Sequence, residues 1–402
     1  MPATPTPPPE ALRPYLTPRH ELLWQEAELF AEQYVAPRVP RLERSTSKYD
    51  RRLAQLMAAK GWFGVTIPIE YGGMEAGHVA KTILIHRTSV VSAAAAAILQ
   101  ATLIPVGALD RFGTHEQKTR WLPRVADGSV LMSIAVTEPT AGGHIGGMEA
   151  VAERDGDEWV ITGSKAHIGN VHIADLHVVV ARTGTSEDSP SQALTAFLVT
   201  NDLPGVSVAP YRAGHGLRGF SAGRLDLDHV RVPVDCVLGE VGQGMEVAQR
   251  SSIRYGRPNL SAVSLGIHEA VMSLTTRFLG ERQRYEATLL DLPVLQDRLG
   301  AIVHRLRAAR VLLYHAVHLL DHGIECDTEL INAKYSNHAW ALQSAQDAME
   351  LHGAHGLDPN YLLQCLIRDI QSTYAPAGTG EFQRIHLARS VLSAAPATGQ
   401  ST

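Results

Sequence analysis

The sequence has 402 residues, of which 45% are hydrophobic and 19% charged, and its formal net charge is −5 at pH 7. This composition is typical of a soluble protein with a large core, and the scattered lysines and arginines exclude the basic stretches that bind nucleic acid. Three widely spaced cysteines, Cys236, Cys326 and Cys365, fit neither a disulfide framework nor a zinc pattern. They predict free thiols in a reducing cytoplasm.

The two ends of the chain differ from the rest. Residues 1–17 are rich in proline and lack the basic and apolar regions of a secretory signal. We expect a disordered tail there, and another over residues 393–402. No apolar run reaches the roughly 18 residues that a membrane-spanning helix needs, so we expect no membrane association.

Between the tails the hydrophobic period changes twice. Residues 18–130 repeat apolar side chains three or four apart, which predicts an N-terminal helical domain. Residues 131–240 contain short runs rich in valine, isoleucine and threonine, with a hairpin turn at Asp155-Gly156, and predict a central β barrel or sandwich. Residues 241–392 return to the helical period. The fold class is therefore α+β, with the sheet between two helical regions.

An apolar seam marks the third region and indicates packing in a helix bundle. It consists of Leu260, Val263, Ile267, Val271, Leu274 and Phe278.

Five short motifs follow one another along the chain: AVTEPTAGG at 135–143, ITGSKAHIGN at 161–170, LHGAHGL at 351–357, RD at 368–369 and GTGEFQR at 378–384. Together, over roughly residues 20–392, they make the sequence resemble the acyl-CoA dehydrogenase family. The resemblance implies N-terminal helices, a central β domain and a C-terminal four-helix bundle, assembled as a homotetramer or homodimer. It also implies an acyl thioester substrate on CoA or an acyl carrier protein, and a flavoprotein or oxygen as electron acceptor.

The resemblance further implies FAD bound between the β domain and the bundle. The cofactor-binding positions it assigns are Val136, Thr137, Glu138, Gly143, His167, Ile168, Gly169, Arg282, Gly353, Thr379 and Glu381. Arg282 matches an arginine that reaches the FAD diphosphate of a neighbouring subunit. The family's tryptophan and threonine are replaced by His167 and Gly169, and His167 either fills the tryptophan space or supplies a new proton carrier.

The family's catalytic base is missing. Most members place a glutamate before Gly-Thr, and the spacing from Arg368-Asp369 puts Ala377 there. A minority place it before an arginine of the first bundle helix. That arginine matches Arg257, and Gly256 precedes it. The sequence therefore resembles an atypical member of the family that lacks the usual glutamate.

The remaining acid or base candidates are Tyr255, His167 and His144.

The substrate-binding positions implied by the resemblance are Arg254, Arg257 and Gly378. Arg254 stands where relatives hold an aspartate for the pantetheine arm. It either lies on a solvated helix face or favours an anionic acyl group or a carrier protein. His352 and His355 lack a carboxylate partner, so we expect no metal site.

Three functions fit these observations. The first is FAD-dependent oxidation of an acyl thioester, of the kind found in secondary metabolism, with a displaced base. The second is a flavin-dependent monooxygenase on the same fold, because the missing hydroxyl at Gly169 leaves room for a flavin hydroperoxide. The third is a non-catalytic or non-redox family member. The intact Thr137-Glu138-Pro139 turn and Arg282 favour retention of flavin.

Overall fold

The structure, a computed structural model, describes residues 6–184, 189, 191–284 and 286–394. Its first region is helical, as the sequence predicts. The helices are α1 (Pro18–Phe30), α2 (Val39–Glu43), α3 (Arg51–Ala58), α4 (Gly77–Val91), α5 (Ala93–Phe112) and α6 (His115–Ala126). Thr17 and Thr114 begin α1 and α6 with capping boxes, and the Ser92 side chain caps α5 and separates it from α4.

The N-terminal tail predicted as disordered is ordered from residue 6 onward, so that prediction is wrong for residues 6–17. A short 3₁₀ helix covers Glu10–Tyr15, and Leu12 is completely buried. The Thr6 carbonyl accepts a hydrogen bond from the indole of Trp24. One apolar anchor and one backbone contact thus hold a proline-rich segment whose composition alone indicates disorder. Residues 1–5 and 395–402 lie outside the described residues, and residues 393–394 extend the last helix.

The long helix α5 corrects the statement that no apolar segment is long enough to span a membrane. Its 20 residues are long and apolar enough to cross a membrane by composition, yet 89% of the apolar window is buried inside the fold. It is the central core helix of the first region and packs against α4, α6, α7 and α8.

The central region is one eight-stranded mixed sheet. Its strands are β1 (Met132–Ala135), β2 (Val151–Asp155), β3 (Glu158–Gly169), β4 (Leu176–Arg182), β5 (Leu194–Thr200), β6 (Val206–Val208), β7 (Ala222–Pro233) and β8 (Val237–Leu238). The order is β6-β7-β3-β2-β4-β5-β8, with β1 parallel to β4. The β2–β3 hairpin turns at Gly156, as predicted. A register shift between Lys165 and Ile168 bends β3 near its end, which redirects His167.

The third region is the predicted helical bundle. Its helices are α7 (Gly244–Ser251), α8 (Arg257–Glu281), α9 (Pro293–Asp321), α10 (Asp327–His352), α11 (Leu362–Ser372) and α12 (Gly380–Ala394), with a small hairpin of β9 (Gln283–Arg284) and β10 (Ala287–Thr288) after α8. The predicted α8 seam is buried from Leu260 to Leu274 and half-buried at Phe278. A π-helical turn, Ser252–Gly256, joins α7 to α8.

Two hydrogen-bonded contacts between the β region and the helices position the site. At the end of β3 the Asn170 side chain donates to the Ile98 carbonyl and the Thr102 hydroxyl of α5. The Asp369 carboxylate of α11 accepts the backbone N–H of Leu217, which precedes β7. The end of β3, the middle of α5 and the end of α11 therefore meet around one cleft.

Candidate active site

Gly256 and Ala377, the two positions at which the sequence predicts that the family's carboxylate is missing, lie next to each other at this cleft. A β-carbon placed on Gly256 would lie 3.3 Å from the Ala377 methyl group and 3.8 Å from Ile104 of α5. Gly256 closes the π-helical turn, an irregularity that often occurs at functional sites. Two distant segments thus converge on one point, and neither supplies a carboxylate.

The loop that carries Ala377 is held rigidly from two helices. Lys334 of α10 donates to the carbonyls of Tyr374 and Gly378 at 2.7 and 2.8 Å. Gln383 of α12 donates to the carbonyl of Ala377 at 2.8 Å. Ala377 has φ +57°, a left-handed conformation that costs a non-glycine residue about 1 kcal/mol. These clamps therefore hold a strained residue at the position where the sequence predicts the missing carboxylate.

An open groove runs along α7. It has a volume of about 690 Å³ and is lined by Met245, Gln249 and Ile253, which are spaced by four residues. Across the groove, Asp327 begins α10 and pairs with Arg250 at 3.0 Å. The groove ends at Ile253, three residues before Gly256, inside the π-helical turn.

Arg254 does not line this groove. Its backbone carbonyl lies 3.5 Å from the Lys81 ammonium, and its charge acts on His78, Tyr255 and Cys326. The arginine in the groove is Arg250, one helical turn earlier. The role of Arg254 in binding substrate therefore remains a hypothesis without a groove contact.

Tyr255 also turns away from the groove. Its ring occupies the space beside Gly107, where an added β-carbon would lie 2.0 Å from a ring atom, and it lines a second cavity of about 570 Å³. Burial raises the pKa of its hydroxyl to about 12. The structure directs this candidate acid or base toward α4 and α5 rather than toward Ala377.

On the sheet side, the Thr137-Glu138 turn is fastened to β3. The Thr137 carbonyl accepts the backbone N–H of Ala166 at 2.8 Å. The Glu138 carboxylate pairs with Lys165 at 2.6 Å and accepts the backbone N–H groups of Glu149 and Ala150. Burial lowers the pKa of Lys165, and the Glu138 partner opposes that change.

The Glu138 side chain is 4% exposed and closes the loop over residues 139–148, so the predicted cofactor contact at this position rests on its backbone. That loop is open to solvent beyond the clamp. A β-carbon on Gly142 or Gly143 would meet no atom within 4 Å, and His144 is exposed. The open loop forms one wall of the cleft, next to Val136 and Thr137.

The end of β3 forms the floor of the cleft. His167 has φ +57° and is exposed, whereas Ala166 and Ile168 on either side are buried. A β-carbon on Gly169 would lie 2.9 Å from the ring of Phe220 and 3.1 Å from Ala101. Phe220 thus occupies the space next to Gly169, and an aromatic edge stands where relatives carry a hydroxyl.

Thr379 and Glu381 begin α12 beside the Ala377 loop. Glu381 accepts a hydrogen bond from the Tyr374 hydroxyl and pairs with Arg384 at 3.2 Å. The Tyr374 bond is the main cause that lowers the pKa of Glu381 to about 2. So acidic a carboxylate is a weak base, so Glu381 is a poor replacement for the missing glutamate.

Arg282 and Gly353 lie at the far end of the bundle. Arg282 follows α8, whose 25 residues span roughly 38 Å from Gly256. Gly353 follows His352, and His352 stacks on Phe278 with ring centroids 4.3 Å apart. These two predicted cofactor positions are therefore near each other and distant from Ala377 within one chain.

Several residues of the site carry no recognisable sequence signal. Lys334, Gln383, Phe220 and Gly107 lie outside the five motifs or at positions to which we assigned no role. Each acts through a contact between elements distant in sequence, which spacing along one helix or strand does not reveal.

Comparison with known proteins identifies the family. Family models match the acyl-CoA dehydrogenase N-terminal domain over residues 17–129, the middle domain over 133–230 and the C-terminal domain over 242–392. An acyl-CoA dehydrogenase of Bacillus subtilis is 30% identical over 364 residues, which cover 90% of this chain and 95% of that protein. A 3-(aryl)acrylate reductase of Clostridium sporogenes is 29% identical and covers 94% of this chain and 100% of its own length.

Among solved structures, butyryl-CoA dehydrogenase of Megasphaera elsdenii superposes with a TM-score of 0.89 at 26% identity, covering 94% of this chain and 99% of that one. The predicted fold class is confirmed, and the expectation of FAD stands with the family. The chain belongs to the acyl-CoA dehydrogenase family of FAD-dependent oxidoreductases.

Proposed function

We propose that this chain oxidises the Cα–Cβ bond of an acyl thioester, carried by CoA or by a carrier protein, with a proton acceptor other than residue 377 or 256. The observation that carries the proposal is the close approach of Gly256 and Ala377, with the α7 groove on the segment that precedes Gly256. The groove and the clamped loop support an acyl-thioester substrate, and neither of the two positions carries a carboxylate.

The cleft fits a bound flavin. The open loop at Gly142 and Gly143 leaves a space that no side chain fills, and His167 presents a flat ring at the floor. Val136, Thr137 and Gly169 would hold the ring system, and Thr379 would hold it from the bundle. Bound FAD supplies a hydride acceptor for the β-carbon of the substrate.

Residues of the chain perform the other tasks. The α7 groove orients the thioester arm, and Lys334 and Gln383 fix the loop against which the reacting carbons lie. The proton from the α-carbon leaves to a group that neither family position provides. His167 and His144, both exposed at the cleft, remain the candidate acceptors on this chain.

The monooxygenase alternative needs space beside Gly169. The contacts of Phe220 and Ala101 with that position show little free volume there, which favours oxidation of the thioester over oxygenation. The non-redox alternative has no specific contact in its favour.

An oligomer in the cytoplasm completes the proposal. Because Arg282 and Gly353 lie roughly 38 Å along α8 from Gly256, they serve a flavin held by a second copy of the chain.

One purified sample tests the proposed function. We expect a yellow protein whose flavin absorbance bleaches under anaerobic conditions when an acyl thioester is added, with a product two hydrogens lighter by mass spectrometry. Oxygen consumption with reduced flavin and an oxygenated product would instead establish a monooxygenase. A colourless protein that takes up no FAD would refute any flavin chemistry.

A further inference from the structure

Arg257 is a buried cation without a carboxylate partner among the described residues. It is the first residue of α8, directly after Gly256, and only 4% of it is exposed. Its Nε and Nη1 atoms have no hydrogen-bond partner, and no described carboxylate lies within ion-pair distance of its guanidinium. Burial lowers its pKa to about 10, and Asp327 only partly opposes this change. A guanidinium almost never loses its proton, so Arg257 stays charged at neutral pH.

A second buried cation lies beside it. Lys334 is 2% exposed, and within the described ranges its ammonium group binds the carbonyls of Tyr374 and Gly378 and no carboxylate. Burial, followed by the charge of Arg257, lowers the pKa of Lys334 to about 8. The two groups therefore lie close enough to repel each other.

Both cations belong to the segments that meet at Gly256 and Ala377. Lys334 binds the carbonyl next to Ala377, and Arg257 follows Gly256 in the chain. A glutamate at position 377 would place a negative charge close to the Lys334 ammonium, on which the charge of Arg257 acts. Because isolated buried charges are unfavourable, a site that keeps two cations and lacks the anion is complementary to an anionic ligand.

We propose that the acyl group of the substrate carries a carboxylate, and that Arg257, with Lys334 beside it, binds this carboxylate in the space that the family's glutamate occupies. The inference rests on the proposed function and names its substrate class. A carboxylate is the anion whose two oxygens match the planar guanidinium fork. It also explains why the glutamate is absent, since two carboxylates at one point repel each other.

The test compares two thioesters that differ in one group. FAD-loaded full-length protein is titrated with succinyl and butyryl thioesters of the same thiol, and binding is followed by flavin absorbance. We expect the succinyl thioester to bind roughly 10- to 100-fold more tightly, the range of one charge-assisted hydrogen bond. In R257Q this preference falls to less than about threefold, whereas R231Q, which changes an exposed arginine paired with Asp155 and Glu158, keeps it.

Thermal unfolding gives a readout that does not depend on turnover. The succinyl thioester raises the melting temperature of the wild-type protein and of R231Q, but not that of R257Q. In A377E, which places a carboxylate next to the cations, the ligand-free protein melts at a higher temperature and the preference for the succinyl thioester is lost. A377E keeps the test decisive if R257Q does not fold.

The possible outcomes separate the inference from the proposed function. If neither thioester bleaches the flavin but the succinyl thioester still stabilises only proteins with Arg257, the proposed function fails and the anion site stands. If both thioesters bleach the flavin with equal affinity, and R257Q does not differ from the wild type, the anion site fails and the proposed function stands. Equal stabilisation by sulfate or chloride, without any preference between the thioesters, also overturns the inference.

Discussion

Two clusters of buried charged residues lie along α8, and they differ in charge balance. One pairs a carboxylate with cations, and the other contains cations alone. The Glu269 carboxylate is hydrogen-bonded to Arg87 at 2.6 Å, to Arg310 at 2.8 Å and to His86 at 3.2 Å. At Arg257, twelve residues earlier in the same helix, two cations lie together without an anion. The first cluster is complete within the chain and joins α4, α8 and α9. The second is complete only with a ligand, which is the expected difference between a stabilising and a binding cluster.

A third case shows why the residue type matters. Lys81 of α4 is completely buried and also lacks a carboxylate partner, but its ammonium group lies 2.8 Å from His78 and 4.3 Å from the Tyr255 ring centre. Burial lowers its pKa to about 7, so a lysine can reduce the cost of burial by losing its proton. Arg257 has no such option.

The largest expected effect comes from completing the second cluster. A377E restores a carboxylate beside the reacting carbon, and a general base typically contributes about 10²- to 10⁴-fold to the rate. We expect the anaerobic rate of flavin reduction by butyryl thioester to rise within that range. A377Q, which has the same shape without the charge, is the control, and equal rates in the two variants would show that residue 377 does not face the α-carbon.

Breaking the first cluster is expected to damage stability rather than chemistry. E269Q leaves Arg87 and Arg310 without their shared carboxylate, and removing one partner of a buried pair costs about 3–5 kcal/mol. Urea unfolding measures the free energy. E158Q, which removes one partner of the exposed Arg231, should change it by less than about 1 kcal/mol. Similar losses in both variants would contradict the comparison.

The Lys81 cluster depends on the position of the Tyr255 ring. In G107A the new methyl group would overlap this ring, which lies 2.0 Å from the built β-carbon, and overpacking typically costs about 1–3 kcal/mol. In G300A, at an α9 glycine where a β-carbon meets nothing within 4 Å, we expect a gain of about 0.5–1 kcal/mol. Equal stability of G107A and the wild type in urea would show that the ring moves freely.

The pH dependence of stability distinguishes the lysine from the arginine. Because the pKa of Lys81 falls from 10.5 to about 7 on folding, the unfolded chain binds more protons across this window. The free energy of unfolding should therefore rise with pH above about 7, by up to about 1.4 kcal/mol per pH unit for one group. His78, Tyr255, Arg254 and Asp321 surround the amine, and Lys334, with its pKa of about 8, adds a rise of the same sign.

In K81M the part of the rise that comes from the two buried lysines should begin about one pH unit higher, because Lys334, with its pKa of about 8, then supplies it alone. K60M, which changes an exposed lysine, should keep the wild-type curve. Urea unfolding between about pH 6 and 9 measures the free energy of unfolding of each variant. The same pH dependence in K81M and the wild type would show that Lys81 stays charged.

The smallest effect is expected at the outer end of the groove. Glu240 and Glu246 line it without an arginine or lysine partner among the described residues, whereas Asp327 is paired with Arg250. Exposed charges contribute little, so E240Q/E246Q should lower the KM for a CoA thioester by roughly two- to fivefold. The KM for the uncharged N-acetylcysteamine thioester should not change, and an equal change for both would exclude an electrostatic cause.

The residues themselves determined the architecture and the family. The change of hydrophobic period at about residues 131 and 241 marks the sheet and the bundle, because a strand alternates every two residues and a helix every three to four. The family resemblance, with motif spacing counted along continuous local segments, also predicted Ala377 and Gly256 as the positions without the carboxylate. Composition wrongly predicted disorder at residues 6–17, where the buried Leu12 anchors the proline-rich segment to the core.

Only the tertiary structure determined which residues surround Gly256 and Ala377. That Gly256 meets Ala377, that Phe220 fills the space beside Gly169, and that Arg257 and Lys334 lack an anion all depend on contacts between segments far apart in the chain. Hydrophobic patterning specifies which face of a helix is buried but not which polar atoms meet there. Those pairings follow from the packing of side chains in three dimensions, and the charge balance of the site follows from them.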